Sequence, residues 1–442
     1  MTAADATFAE HALHEDSTAA RAARRAARIR GIVFAILGLF ALQLAIGTIE
    51  VPAKFSFWID RQGGTALPLQ TTVGVLWIVT GVVTGGTGLW QLYRGASFRW
   101  RRMLAVILPL WVITTLAALL DGKTANLSGV LQGTLALATP ITLGAFAGIL
   151  SERSGLLNIA IEGKFLIGAC VASVAASVVR LQLGADPSPF MMGVAAFIGV
   201  VAAAISGILV ALLLAWLGIR WKVDQIIAGV VIGIGALGIT NFLFLRVLSK
   251  NTELNTPPTV EAVKLPILGD LPVIGPILFN QTPYVYFTLL VMIALTYMLF
   301  RTRWGLRLRA SGEKPSAAGT VGIDVIKIRY RAMVLAGVMA GIAGSALSLA
   351  SAGSFQMNMS AGRGFIALAA VIFGAWNPVY AFGAALVFGF ADSAQALLSI
   401  LGVDVPPQLL NSVPYLVTII VVAGVVGRVR GPAAAGQPYD QG

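Results

Sequence analysis

The sequence has 442 residues, of which 57% are hydrophobic and 11% charged, and its mean hydropathy is +0.85. Soluble domains average roughly 45–50% apolar and about 25% charged residues, so this composition excludes a soluble protein and indicates an integral membrane protein. The net charge of +12 does not indicate nucleic-acid binding, because the basic residues lie in short loops between apolar stretches, a pattern typical of membrane topology. The single cysteine, Cys170, excludes an intramolecular disulfide, and both histidines, His11 and His14, lie in the N-terminal tail. We therefore expect no catalytic histidine in the membrane, no metal site and no cofactor.

Apolar stretches of about 20 residues are long enough to cross a bilayer, and they follow one another along most of the chain. The predicted spans are 31–49, 71–92, 103–120, 129–150, 157–179, 190–218, 226–246, 284–300, 332–351 and 412–427. The stretch 365–400 is apolar but interrupted between Gly374 and Pro378, so it forms either two spans or a re-entrant pair. The sequence thus predicts an all-α polytopic membrane protein with about 10–12 transmembrane helices.

The distribution of lysine and arginine predicts the orientation, because positively charged loops stay on the cytoplasmic side. With the N-terminus inside, the segments on that side hold 23 of the 31 basic residues. Residues 1–30 and 431–442 are then cytoplasmic tails. Residues 31–124 form an N-terminal extension with about three transmembrane helices, and residues 125–430 form the core.

Two loops are long enough to have functions of their own. The cytoplasmic segment 301–331 is strongly basic, and its Ala/Gly-rich part after Pro315 favours a short helix beginning near that proline. It is either a docking element or an ordinary basic loop. The outer segment 247–281 is proline-rich, which favours extended or turn structure. It is either a rim for a soluble partner or a stiff connector.

Glycine motifs in the spans do not indicate nucleotide binding. Residues 233–238 satisfy GxGxxG but lie inside an apolar span with no preceding strand, so close helix packing explains them better. The pairs Gly81/Gly85 and Gly337/Gly341 also have small-xxx-small spacing. The chain contains no Walker-type phosphate-binding loop.

Two polar, glycine-containing interruptions lie within otherwise apolar segments, at 151–164 and 354–364. Each follows a Gly/Ala-rich span, and the charge count gives these spans opposite directions. This arrangement predicts an inverted-repeat core with broken helices lining a substrate pathway, although two Gly/Ala-rich segments can also resemble each other by chance. Polar and aromatic residues at or near the interrupted segments are the predicted pathway residues: Asn158, Glu162, Phe355, Asn358, Trp376, Asn377 and Asp392.

An intramembrane carboxylate is rarely kept without a partner or a role. Asn158 and Glu162 are four residues apart and would share one face of a helix. Alternatively, Glu162 lies at the cytoplasmic interface, where it is solvated or paired with Arg153 or Lys164. Asp392 either belongs to the pathway or makes an interhelical hydrogen bond.

Three motifs in order resemble the permease subunits of bacterial ABC importers for nucleosides and simple sugars, a family similar to branched-chain amino acid permeases. They are SERSGLLNIAIEGKFLIGA (151–169), ASGEKPSAA (310–318) and GFIALAAVIFGAWNP (364–378). The similarity covers about residues 125–430. It departs from the family at Lys314, where an asparagine is usual, and it does not extend to the first 120 or so residues.

The resemblance implies an importer in the bacterial cytoplasmic membrane. Two permease subunits, as a homodimer or heterodimer, form the pathway, two separate ATPase subunits bind beneath them, and an extracytoplasmic binding lipoprotein delivers the ligand. The chain itself would not be an enzyme. The cytoplasmic loop would then contact the ATPase through Gly312, Glu313, Pro315, Ala317, Ala318 and Gly322.

The resemblance favours nucleosides as the substrate, with simple sugars such as ribose or galactose as the alternative. Aromatic faces such as those of Phe355 and Trp376 would suit either ligand. An ion-coupled carrier using Glu162 and Asp392 as a relay is a further alternative that needs no ATPase. An intramembrane enzyme is poorly supported, because the spans contain no histidine.

Overall fold

The computed structural model describes residues 3–59, 65–95, 98, 100–120, 122–184, 186–403, 406, 409, 412 and 430–439. Within these ranges, ten helices are long and apolar enough to cross a membrane, which confirms the all-α polytopic fold. Nine of them coincide with the nine predicted spans from 31–49 to 332–351. The predicted span 412–427 lies outside the described residues, apart from its first residue.

The chain divides into two compact units, and the first comprises residues 1–127 and 396–405. Its elements are α1 (Ala3–Ile46), β1 (Pro52–Ile59), β2 (Thr65–Thr72), α2 (Val73–Arg94), α3 (Trp100–Leu119) and β3 (Thr124–Asn126). The predicted tail is continuous with the first span, because α1 runs through both. The part of α1 that is apolar enough to span begins at Arg21.

A small sheet, which the sequence did not predict, lies in the first unit. Strand β1 pairs antiparallel with β2 and parallel with β3, giving the order β2-β1-β3. Phe55 of β1 is buried. A search for long apolar stretches misses such strands, because each has no more than eight residues.

Small residues bring α1 and α2 together. A Cβ atom at Gly81 would lie 2.7 Å from Cγ of Leu42 and 2.9 Å from the carbonyl oxygen of Gly38, so the packing predicted for the Gly81/Gly85 pair is confirmed. Helices α2 and α3 also share a buried hydrogen bond of 2.8 Å between the hydroxyls of Thr80 and Thr114. Close backbone contact and interhelical hydrogen bonds are what hold helices together in lipid.

The second unit comprises residues 128–395 and 406–442. Its helices are α4 (Leu127–Arg153), α5 (Ile161–Gln182), α6 (Pro189–Arg220), α7 (Gln225–Leu243), α8 (Ile274–Leu278), α9 (Pro283–Arg301), α10 (Arg303–Glu313), α11 (Pro315–Thr320), α12 (Val325–Ser345), α13 (Arg363–Phe373) and α14 (Pro378–Ile400). Helix α4 begins one residue before the segment 128–395, and α14 ends five residues after it. Two π-helical turns, Phe244–Leu248 and Ala346–Ala352, continue α7 and α12. The stretch 365–400 thus forms one short helix and one spanning helix.

Glycines determine how closely α6 and α12 pack. Cβ atoms at Gly337 and Gly341 would lie 2.6 Å from Cα of Ile208 and 2.9 Å from Cα of Ala204, respectively, which confirms the packing prediction for this pair. In α7, by contrast, Cβ atoms at Gly235 and Gly238 would meet nothing within 4 Å. Packing within this chain therefore does not explain those two glycines.

The two long loops have more regular structure than the sequence suggested. The basic segment 301–331 is mostly helical and contains α10 and α11, and the predicted short helix begins at Pro315 as expected. The outer segment 247–281 is mainly irregular, as its prolines predicted, but it includes β4 (Val263–Lys264), which pairs with β5 (Asn280–Gln281), and the short helix α8.

Candidate functional site at the helix breaks

The break between α4 and α5 consists of residues 154–160, none of which is helical. Asn158 lies in this break and α5 begins at Ile161, so the prediction that Asn158 and Glu162 share a helix face is wrong. The Nζ atom of Lys164 donates a hydrogen bond to Oδ1 of Asn158. Both side chains are fully buried, and Nδ2 of Asn158 has no hydrogen-bond partner among the described residues. A buried lysine side chain and a partly satisfied amide therefore lie beside the break.

Glu162 joins the start of α5 to the start of α13. Its Oε1 accepts hydrogen bonds from Oγ of Ser360 (2.6 Å) and from the amide of Gly362 (2.9 Å), and its Oε2 accepts one from the amide of Gly364 (2.7 Å). A carboxylate is favoured there, because it lies in the first turn of its own helix and meets free amides at the start of another. Glu162 is therefore neither solvated at an interface nor paired with Arg153 or Lys164.

The break between α13 and α14 is held against the end of α4. The indole Nε1 of Trp376 donates a hydrogen bond of 2.6 Å to Oε2 of Glu152. The guanidinium of Arg153 donates to the carbonyl oxygens of Ala375 and Trp376 at 3.2–3.4 Å. Ala375 and Trp376 both have positive φ angles, of 50° and 55°, which non-glycine residues rarely adopt. Trp376 is only 9% exposed, so its ring offers no free face to a ligand in this structure.

The break between α12 and α13 is held by the outer segment. Asn255 accepts hydrogen bonds at Oδ1 from the amide of Phe355 (2.8 Å) and from Oγ of Ser173 (2.7 Å), and its Nδ2 donates to the carbonyl of Phe355 (2.9 Å). The Phe355 ring is fully buried and packs edge-on against Phe244, with ring centroids 6.2 Å apart. Asn358, in contrast, is exposed. Phe355 is thus part of the packing at this break.

The two remaining predicted pathway residues have partners of their own. Asp392 of α14 forms an ion pair with Arg363, the first residue of α13, with an Oδ2–Nη2 distance of 3.3 Å. Asn377 caps α14, because its Oδ1 accepts from the amide of Val379 at 3.0 Å.

The predicted pathway residues therefore fall into separate groups. Glu162 lies at one end of α13, beside the Arg363–Asp392 pair, and Trp376 lies beyond the other end. Eleven residues of α-helix rise about 16 Å, so one ligand of nucleoside size would not touch both groups. The relation of the two interruptions as an inverted repeat stays a prediction.

The predicted ATPase-coupling residues all lie in residues 310–323, the coupling segment, and they differ in their accessibility. Gly312 and Ala318 are buried, Pro315 is half-buried, and Glu313, Ala317 and Gly322 are exposed. The expectation that Ala318 lies on an accessible surface is wrong, because its position on a one-and-a-half-turn helix faces inward and leaves it 3% exposed. Next to α11, the apolar side chain of Val321 is 74% exposed.

The coupling segment packs directly on the break between α4 and α5. Ser311 Oγ donates a hydrogen bond of 3.0 Å to the carbonyl of Ser154. A Cβ atom at Gly312 would overlap the backbone carbonyl of Arg153, so only glycine permits this approach. The sequence motifs marked the coupling segment and the α4–α5 break as functional segments. They did not predict that the two are in contact.

Sequence reasoning missed several residues that hold the breaks together. Glu152 lies within a recognised motif but was assigned no role, and Arg153 and Lys164 were considered only as partners for Glu162. Asn255 has no local signal at all, because it lies in a loop about 100 residues from the backbone it binds.

Long apolar helices that break at buried polar clusters are typical of membrane transport proteins, and the second unit has this architecture. The chain matches the family described as "Branched-chain amino acid transport system / permease component" over residues 130–422, and it belongs to this family. This match confirms the resemblance identified from the three motifs. Residues 1–129 lie outside the matched region.

Several relatives are similar over nearly their whole length, and two of them are nucleoside permeases. The guanosine ABC transporter permease protein NupQ of Bacillus subtilis is 38% identical over 322 residues, covering 72% of this chain and 98% of NupQ. The nucleoside ABC transporter permease protein NupC of Lactococcus lactis is 35% identical over 308 residues, covering 69% and 94%. The putative glucose ABC transporter permease protein TsgC13 of Haloferax volcanii is 31% identical over 342 residues, covering 71% of this chain and 98% of TsgC13. No solved structure matches this chain. The chain is thus a multi-pass membrane protein and a transport component rather than an enzyme.

Proposed function

We propose that this chain is the membrane-spanning permease subunit of an ABC importer for nucleosides. The names of the relatives at 35–38% identity support this substrate class. A simple sugar is the alternative, supported by the putative glucose permease at 31% identity.

The remaining parts of the importer are separate proteins. The sequence has no phosphate-binding loop, so ATP is hydrolysed by a partner ATPase. A second permease subunit completes the pathway, and an extracytoplasmic lipoprotein delivers the nucleoside. The distribution of basic residues supports an orientation with both termini inside, and the resemblance to bacterial importers supports a location in the bacterial cytoplasmic membrane.

The packing of the coupling segment on the α4–α5 break is the observation that carries the proposal. Ala317 of α11 and Val321, which follows α11, are exposed. They offer the ATPase a small side chain and an apolar one. In the same segment, Ser311 binds the break and Gly312 packs against the end of α4. A movement of the ATPase would therefore reach the broken helices directly.

The docking assignment is tested with Ala317→Asp, because this side chain is exposed and its replacement leaves the packing of the segment intact. A charge left unpaired in an interface costs several kcal/mol, so we expect normal membrane abundance but loss of ATPase co-purification and of ATP-driven nucleoside uptake. Ala262→Asp, at an exposed alanine of the outer segment, is the matched control and should co-purify normally. Full recovery of the ATPase with Ala317→Asp would place the docking surface elsewhere.

The substrate class is tested in proteoliposomes that contain the assembled importer. We expect ATP-dependent uptake of radiolabelled guanosine that excess unlabelled nucleoside suppresses and excess glucose does not. The purified permease alone should hydrolyse no ATP above background. Uptake of glucose without uptake of guanosine would support the sugar alternative.

A further inference from the structure

Residues 430–439, here called the strap, lie across three functional segments. The amide of Ala434 donates a hydrogen bond of 2.9 Å to the carbonyl of Gly312 in the coupling segment. Two residues later, the amide of Gly436 donates one of 3.1 Å to the carbonyl of Gly155 in the α4–α5 break. At its start, the strap passes so close to the α13–α14 break that a Cβ atom at Gly431 would lie 2.9 Å from the Trp376 ring.

The middle of the strap is a stiff turn. The amide of Ala435 binds the carbonyl of Pro432, and that of Gln437 binds the carbonyl of Ala434, both at 3.1 Å. Gly436 has a φ angle of 78°, which glycine adopts without strain. Ala434 is 3% exposed, so it is packed into the protein. The strap therefore has the internal hydrogen bonds and the burial of a structural element.

Arg329 of α12 connects the strap to the α4–α5 break. Its side chain is 2% exposed. Its Nε donates to the carbonyl of Ser154 (3.2 Å), and its Nη1 donates to the carbonyl of Gln437 (3.3 Å). The guanidinium carbon lies 5.9 Å from the centroid of the Tyr439 ring, within the range of a cation–π contact. One rigid guanidinium thus holds the break and the strap together.

We propose that the strap is a coupling element that joins the coupling segment to the helix breaks, with Arg329 as its positioning residue. The inference rests on the proposed function, since it assumes that the ATPase moves the coupling segment. Because the strap is bonded to Gly312 on one side and to Gly155 on the other, displacement of the coupling segment pulls on the break. Without the strap, the direct contacts of Ser311 with the break and of Gly312 with the end of α4 remain, but the bonds that join the two segments through residues 434 and 436 are lost.

The test measures the nucleosides imported for each ATP hydrolysed by the complete importer in proteoliposomes. Ala434→Gln places a bulky amide at the buried position, and Ala433→Gln makes the same change at the exposed neighbour. The bulky side chain should displace the strap and break the hydrogen bond between Ala434 and Gly312. Loss of one such hydrogen bond lowers an equilibrium constant about two- to tenfold, so the Ala434→Gln importer should import about fivefold fewer nucleosides per ATP. Ala433→Gln should match the wild type.

Three further variants distinguish coupling from simple structural support. Deletion of 431–439 should reproduce the loss seen with Ala434→Gln, with normal membrane abundance and normal co-purification of the ATPase. Arg329→Gln should lower the import per ATP, and Arg329→Lys should restore it only partly, because lysine lacks the fork that binds two carbonyls.

The outcomes separate this inference from the proposed function. An unchanged import per ATP in both Ala434→Gln and the deletion variant would overturn the coupling role. Loss of ATPase co-purification in these variants would also overturn it, because the strap would then belong to the docking surface. If the wild-type chain itself fails to bind an ATPase, the proposed function is wrong.

Discussion

Glu162 connects α5 to α13, and its replacement tests whether that connection supports the fold as well as transport. The carboxylate accepts three hydrogen bonds, from Ser360 Oγ and from the amides of Gly362 and Gly364, at 2.6–2.9 Å. Glu162 is itself 8% exposed, so water cannot readily replace the carboxylate. We expect substitutions to loosen the start of α13 in proportion to the number of acceptors they remove.

The contacts give a graded series of effects. In Glu162→Gln, the remaining carbonyl oxygen keeps the partners of Oε1, but an NH₂ group faces the amide of Gly364, which costs about 2–3 kcal/mol. Glu162→Ala leaves three donors without an acceptor, and the two buried ones, Ser360 Oγ and the amide of Gly364, cost about 1–3 kcal/mol each. Ser360→Ala removes one donor only and should cost about 1 kcal/mol.

The assay is thermal unfolding of the purified importer in detergent, followed by size-exclusion chromatography, together with nucleoside uptake. The melting temperature should fall least in Ser360→Ala, more in Glu162→Gln and most in Glu162→Ala. Nucleoside uptake should fall in the same order. Glu261→Gln, at an exposed glutamate of the outer segment, should change neither. A Glu162→Gln protein with wild-type stability and no uptake would refute this reasoning, because Glu162 would then act on the substrate rather than on the helix.

Helix packing and the α13–α14 break each give one further prediction. Gly341→Ala should markedly reduce the folded yield, because its Cβ would overlap the backbone carbonyl of Ala203. The Cβ of Gly235→Ala meets open space in this chain, so this variant should be neutral or stabilise α7 by about 0.5–1 kcal/mol. Equal folded yields of the two variants would contradict the packing argument. Trp376→Phe removes the hydrogen bond that the indole donates to Glu152 and should lower the melting temperature of the purified permease. An unchanged melting temperature would show that this hydrogen bond does not stabilise the break.

Local composition was enough to predict the properties that depend on neighbouring residues. A span needs about 20 apolar residues and few charges, so nine spanning helices could be located from hydropathy alone. Pro315 fixed the start of α11 because proline is tolerated in the first turn of a helix. The glycine pairs Gly81/Gly85 and Gly337/Gly341 indicated close packing for the same local reason. The family was evident from three ordered motifs, whose residue types and spacing can be read along the chain.

The pairing of polar groups, in contrast, was settled by the tertiary structure alone. Glu162 binds backbone amides 200 and 202 positions away, and Asn255, the last residue of a short 3-10 helix in the outer segment, binds Phe355. Ala317 and Ala318 are identical neighbours in sequence, but one is exposed and the other buried, because the direction in which α11 faces depends on its packing against other segments. Hydrogen bonds and burial at the breaks are long-range interactions, and a local pattern contains the donors and acceptors without specifying how they are paired.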